Sequence, residues 1–218
     1  MAFYLVQNFK DFILNSLHFF PFTMFISLVI FGAIFYQPTW TLVAMGMFFV
    51  YLLTKGADAG LTALLPQQSI LGIGLRPTGN VEGAVCSPYS IGSTSLPSMW
   101  IAQTAFVSFF VIYNSFVLAN KAGNKNFFEA YQNRLSRTQI SIIVSTTLLI
   151  GLVWMRIYSG CDEIGGAIIS VGWGALIAYI WWNILDICNT QLQSDILGIT
   201  RNMAPSGEEK EIAMVCTA

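Results

Sequence analysis

Residues 156–166 read RIYSGCDEIGG, and this stretch decides how the chain is put together. It separates two apolar runs, 139–155 and 164–185, and sets Arg156, Cys161, Asp162 and Glu163 between them. Roughly 17–25 residues of helix cross a bilayer, so a short polar break between two such runs is expected at a membrane edge. Two further polar clusters, Leu75-Arg76-Pro77 and Leu96-Pro97-Ser98, fall at span ends that a simple topology places on that same edge.

Composition agrees with a membrane protein. With 55% hydrophobic and 10% charged residues among 218, and a mean hydropathy of +0.64, a water-soluble domain would lack the polar surface to cover its core. A net charge of −1 without a clustered basic surface argues against nucleic acid as a partner. The single histidine, His18, argues against a His-based metal site or triad, and no metal or cofactor is expected. The apolar start lacks a basic segment and a small-residue cleavage site, so no cleavable signal peptide is expected.

Taken in order, residues 1–19 place Phe3, Leu5, Val6, Phe9, Phe12, Ile13 and Leu17 mostly on one helical stripe. That pattern predicts an amphipathic helix lying along the interface; the alternative is that it extends the first span. Spans are expected over 20–36, 41–65, 98–119, 139–155 and 164–185, giving an all-α bundle of five transmembrane helices within a membrane domain of residues 20–187. Residues 66–97 are rich in Gly, Ser and Pro with no sustained period and read as a long loop, of the length that usually carries function. Residues 188–218 read as a polar tail. Lys55 and Asp58 are spaced to pair on one face of the second span. Such a pair is a channel or transporter candidate at membrane depth, and simple snorkelling at a span end otherwise.

Five crossings place the N-terminus, the 66–97 loop and the 156–163 turn on one side. Lys121, Lys125, Arg134 and Arg137 against Glu129 put the 120–138 segment, and with it the C-terminus, in the cytoplasm by the positive-inside rule. The three polar clusters then face the lumen or exterior. On the fifth span Gly166, Ser170, Gly174 and Ala178 recur every four residues, a stripe that lets a neighbouring helix approach closely. Trp181 and Trp182 are expected at the cytoplasmic interface as part of an aromatic belt.

The four cysteines, at 86, 161, 188 and 216, show no C-x-x-C spacing and suggest neither zinc nor thioredoxin chemistry. Cys86 and Cys161 lie on loops of the same, oxidising side and are candidates for a disulfide; the alternative for Cys161 is a small buried residue.

The order Arg76-Pro77, a loop, Pro97-Ser98 opening a span, then Arg156 followed by Tyr-x-Gly resembles the type-2 phosphatidic acid phosphatase superfamily of membrane lipid phosphate phosphatases. The likeness covers about half of the chain. In that family the first motif is Lys, six residues, Arg-Pro; the second is Pro-Ser-Gly-His; the third is Ser-Arg, five residues, His, three residues, Asp. Here Ser69 stands at the Lys position, Met99 and Trp100 at the Gly and His positions, and Met155, Asp162 and Gly166 at the Ser, His and Asp positions of the third motif.

The departures remove the chemistry and keep the grip. The resemblance implies an imidazole nucleophile and an imidazole acid, and neither exists here. An indole N–H such as that of Trp100 cannot deliver a proton near neutral pH. Asp162 is the remaining nucleophile if the protein is an active phosphatase, since carboxylates do attack phosphorus in other enzymes. Arg76, Ser98 and Arg156 are left as a phosphate- or lipid-binding set, two guanidiniums and a hydroxyl. For the arginines the alternative is snorkelling, or pairing with Asp162, Glu163 or Glu82. The leading expectation is therefore a catalytically inactive relative with a structural or anionic-lipid-binding role. A component of a viral internal or enveloping membrane falls within that expectation, and other membrane subunits are admissible partners.

Overall fold

The computed structural model describes residues 19–34, 38–64, 96–121, 128–159 and 161–188. These form five helices with no strand among them: α1 (Phe20–Ile34), α2 (Pro38–Leu64), α3 (Met99–Lys121), α4 (Phe128–Tyr158) and α5 (Ile164–Cys188). Thr39–Gly60, Met99–Val117, Thr138–Tyr158 and Ile164–Ile187 are each long and apolar enough to cross a membrane. The described residues thus form an all-helical bundle, four of whose helices have the length and apolarity of membrane spans.

α1 has 15 residues. At 1.5 Å per residue it reaches about 22 Å, short of the roughly 30 Å hydrocarbon core, so the expected first span is, as a described helix, a shorter apolar one. The expected interfacial helix lies outside the described residues apart from Phe19, as do the 66–97 loop up to residue 95 and the tail beyond Cys188. α4 departs from expectation at its start. It continues unbroken from Phe128 for 31 residues, taking in much of the 120–138 segment. That segment had been read for its charge, yet FEAYQNRLSRTQ contains no Gly or Pro to stop a helix.

Local chemistry sets the ends of the elements. Pro38 opens α2 where its missing N–H is no loss. Ser98 begins α3, its carbonyl accepting from Ala102 N–H at 2.9 Å, after a cis Leu96–Pro97 peptide. α4 closes with Cys161 N–H bonded to the Arg156 carbonyl at 3.1 Å, and Glu163 starts α5 by accepting from Ala167 N–H at 2.8 Å.

α3 is the centre of the bundle. It packs along α5 most extensively, then along α4 and α2, and touches α1, whereas α4 and α5 hardly meet although they are consecutive. The expected stripe explains the α3–α5 contact. Gly166, Ser170, Gly174 and Ala178 are all buried, and a Cβ added at Gly174 would clash with the Ala102 carbonyl and lie 2.8 Å from Ala105 Cβ. Backbones this close gain dispersion contacts along their whole length, which drives helix association where no hydrophobic effect operates.

One core cluster, built on Met47, Val50, Phe106, Phe110, Ile177 and Trp182, fills the centre and far end. A second, of Trp100, Ile101, Leu152 and Ala167, fills the other end. The outer surface is apolar instead, with Ile143, Leu148, Ile150, Ile168 and Leu176 exposed, as a lipid-facing surface requires. Trp181 and Trp182 correct the expected belt. Trp182 is buried in the core against Tyr113, and the Trp181 indole donates to the Leu42 carbonyl at 3.1 Å. Trp181 turns inward because its indole N–H finds a partner on α2, and Trp182 because its ring packs against Tyr113 on α3.

Candidate functional site

At one end of the bundle the start of α1, the end of α2, the start of α3, the end of α4 and the start of α5 come together. The Phe20 ring lies 6.3 Å from that of Trp100, Asp58 Oδ1 accepts from Leu96 N–H at 2.9 Å, and Trp100 packs with Leu152 and Ala167. The sequence had offered Asp58 to Lys55. In the structure it ties the end of α2 to Leu96, three residues before α3, while Lys55 is exposed.

Arg156 occupies the last turn of α4 and is only 5% exposed. Its Nε donates to Asp162 Oδ2 at 2.8 Å, and the two side chains are 6% and 10% exposed. The guanidinium carbon sits 5.2 Å from the centroid of the Trp100 ring. A cation over an indole face gains about 2 kcal/mol when desolvated. Phe20 against the ring and Leu152 beside it keep water from both. The guanidinium is therefore fixed on one face and one edge.

The rest of it is not fully satisfied. Nη1 of Arg156 is buried and has no hydrogen-bond partner among the described residues. Leaving such a donor unmet costs about 1–3 kcal/mol, and more for a charged group. A planar fork of N–H donors with a free nitrogen suits a phosphate or carboxylate oxygen.

Of the residues singled out from sequence, Arg156 and Asp162 meet directly, and Trp100 meets Arg156 through its ring face. Sequence reasoning considered only its N–H; the missed signal was the pairing of an Arg and a Trp at the same edge. Ser98 is buried nearby, two residues before Trp100, and it engages through its backbone: its N–H donates to Ser170 Oγ at 2.7 Å. Ser170, read only as a small residue, passes the bond on to the Gly166 carbonyl at 2.7 Å. Arg76 and Cys86 lie outside the described residues. Cys161 is buried and disulfide-bonded, and the Ser159 hydroxyl, 3.2 Å from its Sγ, donates to the Arg156 carbonyl at 3.0 Å.

Chemically, the arrangement holds a cation in place and offers part of it. Asp162 is the charge partner of Arg156, and a carboxylate so engaged is a poor nucleophile because attack on phosphorus would break the pair. Comparison with known protein families, with curated proteins and with solved structures gives no match.

Proposed function

We propose that the chain is a non-catalytic, lipid-phosphate-phosphatase-like membrane protein whose Arg156 end holds the phosphate of a lipid headgroup without hydrolysing it. The observation that carries this reading is the Arg156 guanidinium: buried, stacked on Trp100, paired to Asp162 through Nε, and left with an unmet donor at Nη1. Trp100, standing where the resemblance puts an imidazole acid, cannot protonate a leaving alkoxide, so a bound ester is expected to stay intact. Arg76 and the Ser98 hydroxyl belong to the same proposed set.

This end faces away from the cytoplasm. Basic residues of the 120–138 segment hold the opposite end inside, and a disulfide at Cys161 fits an oxidising compartment. The channel reading loses support, because Asp58 is engaged with Leu96.

The test is a phosphate-release assay with phosphatidic acid alongside a lipid-binding titration on the full chain. Binding without turnover is the expected result. Turnover that disappears in Asp162→Asn would make the protein an enzyme instead.

A further inference from the structure

We infer that the Arg156 end selects a zwitterionic phosphodiester headgroup, of the phosphocholine or phosphoethanolamine kind, over a phosphate monoester such as phosphatidic acid. This rests on the headgroup reading above and deepens it.

Depth comes first. Trp154 and Tyr158, one turn apart on α4, are 68% and 86% exposed and point away from the face that carries Arg156. Aromatic side chains so exposed near the end of a membrane-length helix sit at headgroup level. They put the Arg156 layer where lipid phosphates lie.

Charge then decides the class of headgroup. Arg156 is accompanied by two carboxylates, Asp162 and Glu163, and Asp162 already neutralises it through Nε. Among the described residues, two carboxylates stand against one guanidinium before any ligand arrives. A phosphate monoester carries roughly 1.5 to 2 negative charges near neutral pH, and bringing it here adds repulsion to a poorly solvated group. A phosphodiester carries one negative charge. Its oxygen meets the unmet Nη1 of Arg156, which is nine-tenths buried. The ammonium of the same headgroup is matched by Glu163, half-buried at the start of α5 and free of the salt bridge that occupies Asp162. Each charge of the ligand then finds its opposite.

The test uses the purified full chain in detergent, titrated with dioctanoyl phosphatidylcholine and dioctanoyl phosphatidic acid at neutral pH and read by native mass spectrometry. Phosphatidylcholine is expected to bind about tenfold more tightly, the scale of one partly desolvated pairing of opposite charges. Glu163→Gln should remove most of that preference, and Arg156→Lys, which keeps the charge without the fork, should weaken both lipids. Equal or tighter binding of phosphatidic acid overturns the selectivity while leaving a headgroup site. Binding of neither lipid overturns the headgroup reading itself. An unchanged preference in Glu163→Gln rejects the role of Glu163, and glycerophosphocholine binding as tightly as the lipid rejects a membrane source for the ligand.

Discussion

The backbone N–H of Ser98, at the start of α3, is bonded to the side-chain oxygen of Ser170, in the second turn of α5, at 2.7 Å. The same hydroxyl donates to Gly166 at 2.7 Å, so one oxygen satisfies a helix N-terminus and joins two helices that share few other polar contacts. Ser170→Ala strands the Ser98 donor in a buried position. It should cost about 1–2 kcal/mol in detergent unfolding, the range for an unmet buried donor tempered by the modest worth of interhelical bonds in membranes. Unfolding indistinguishable from the parent chain would show that water or another group replaces the hydroxyl.

The glycines of α5 separate packing from propensity. A Cβ at Gly174 meets the Ala102 backbone and Ala105, whereas one at Gly172 meets nothing within 4 Å. Gly174→Ala should therefore destabilise the bundle by about 1–3 kcal/mol through overpacking, while Gly172→Ala should be neutral or stabilise it by up to about 1 kcal/mol. Thermal denaturation in mild detergent compares them, and equal effects would mean that α5 is not seated on α3 as described.

Asp162→Asn should be more damaging than its surface-loop position suggests. It leaves the Arg156 charge buried without its partner, a loss of about 3–5 kcal/mol for pairs of this burial. Replacing both residues by Leu and Asn together should recover part of the loss. A double-mutant cycle with no coupling would show that the pair contributes nothing in the membrane.

The partner of Cys161 is expected to be Cys86. Cys188 closes α5, and a helix from Ile164 to Cys188 separates its ends by about 36 Å, far beyond the 7 Å between bridged Cα atoms. Cys216 follows α5 on the opposite side of the proposed topology. Non-reducing peptide mapping should recover a Cys86–Cys161 peptide, and Cys86 recovered as a free thiol would reject the pairing together with the shared sidedness behind it.

How much of this could be read in the sequence depended on the range of the interaction concerned. Long apolar runs and the four-residue stripe from Gly166 to Ala178 are local signals, and they placed α2, α3, α5 and the close approach along α5 well. The fourth span fits its expected place, and the helix that carries it extends back to Phe128 through a charged segment with no helix breaker. Trp181 and Trp182 were expected in an aromatic belt, whereas Trp182 is buried in the core and Trp181 bonds to α2, since a belt and a core tryptophan have the same neighbours in sequence. The Arg156–Asp162 pair was legible from six-residue proximity. The Trp100 ring over Arg156 and the bond from Leu96 to Asp58 were not, because each joins helices whose relative rotation no single segment encodes.

The central position of α3 bears on biogenesis. Ala102 and Ala105, the surfaces that α5 covers, leave the ribosome well before the stripe that fits them. α4 is made in between and scarcely touches α5. Newly inserted α3 must therefore wait, its small-residue face open to lipid or to a chaperone, while a whole further helix is threaded into the bilayer. Only the arrival of α5 covers this face, so a ribosome stalled before residue 164 would release a chain in which α3 is packed against α1, α2 and α4 alone.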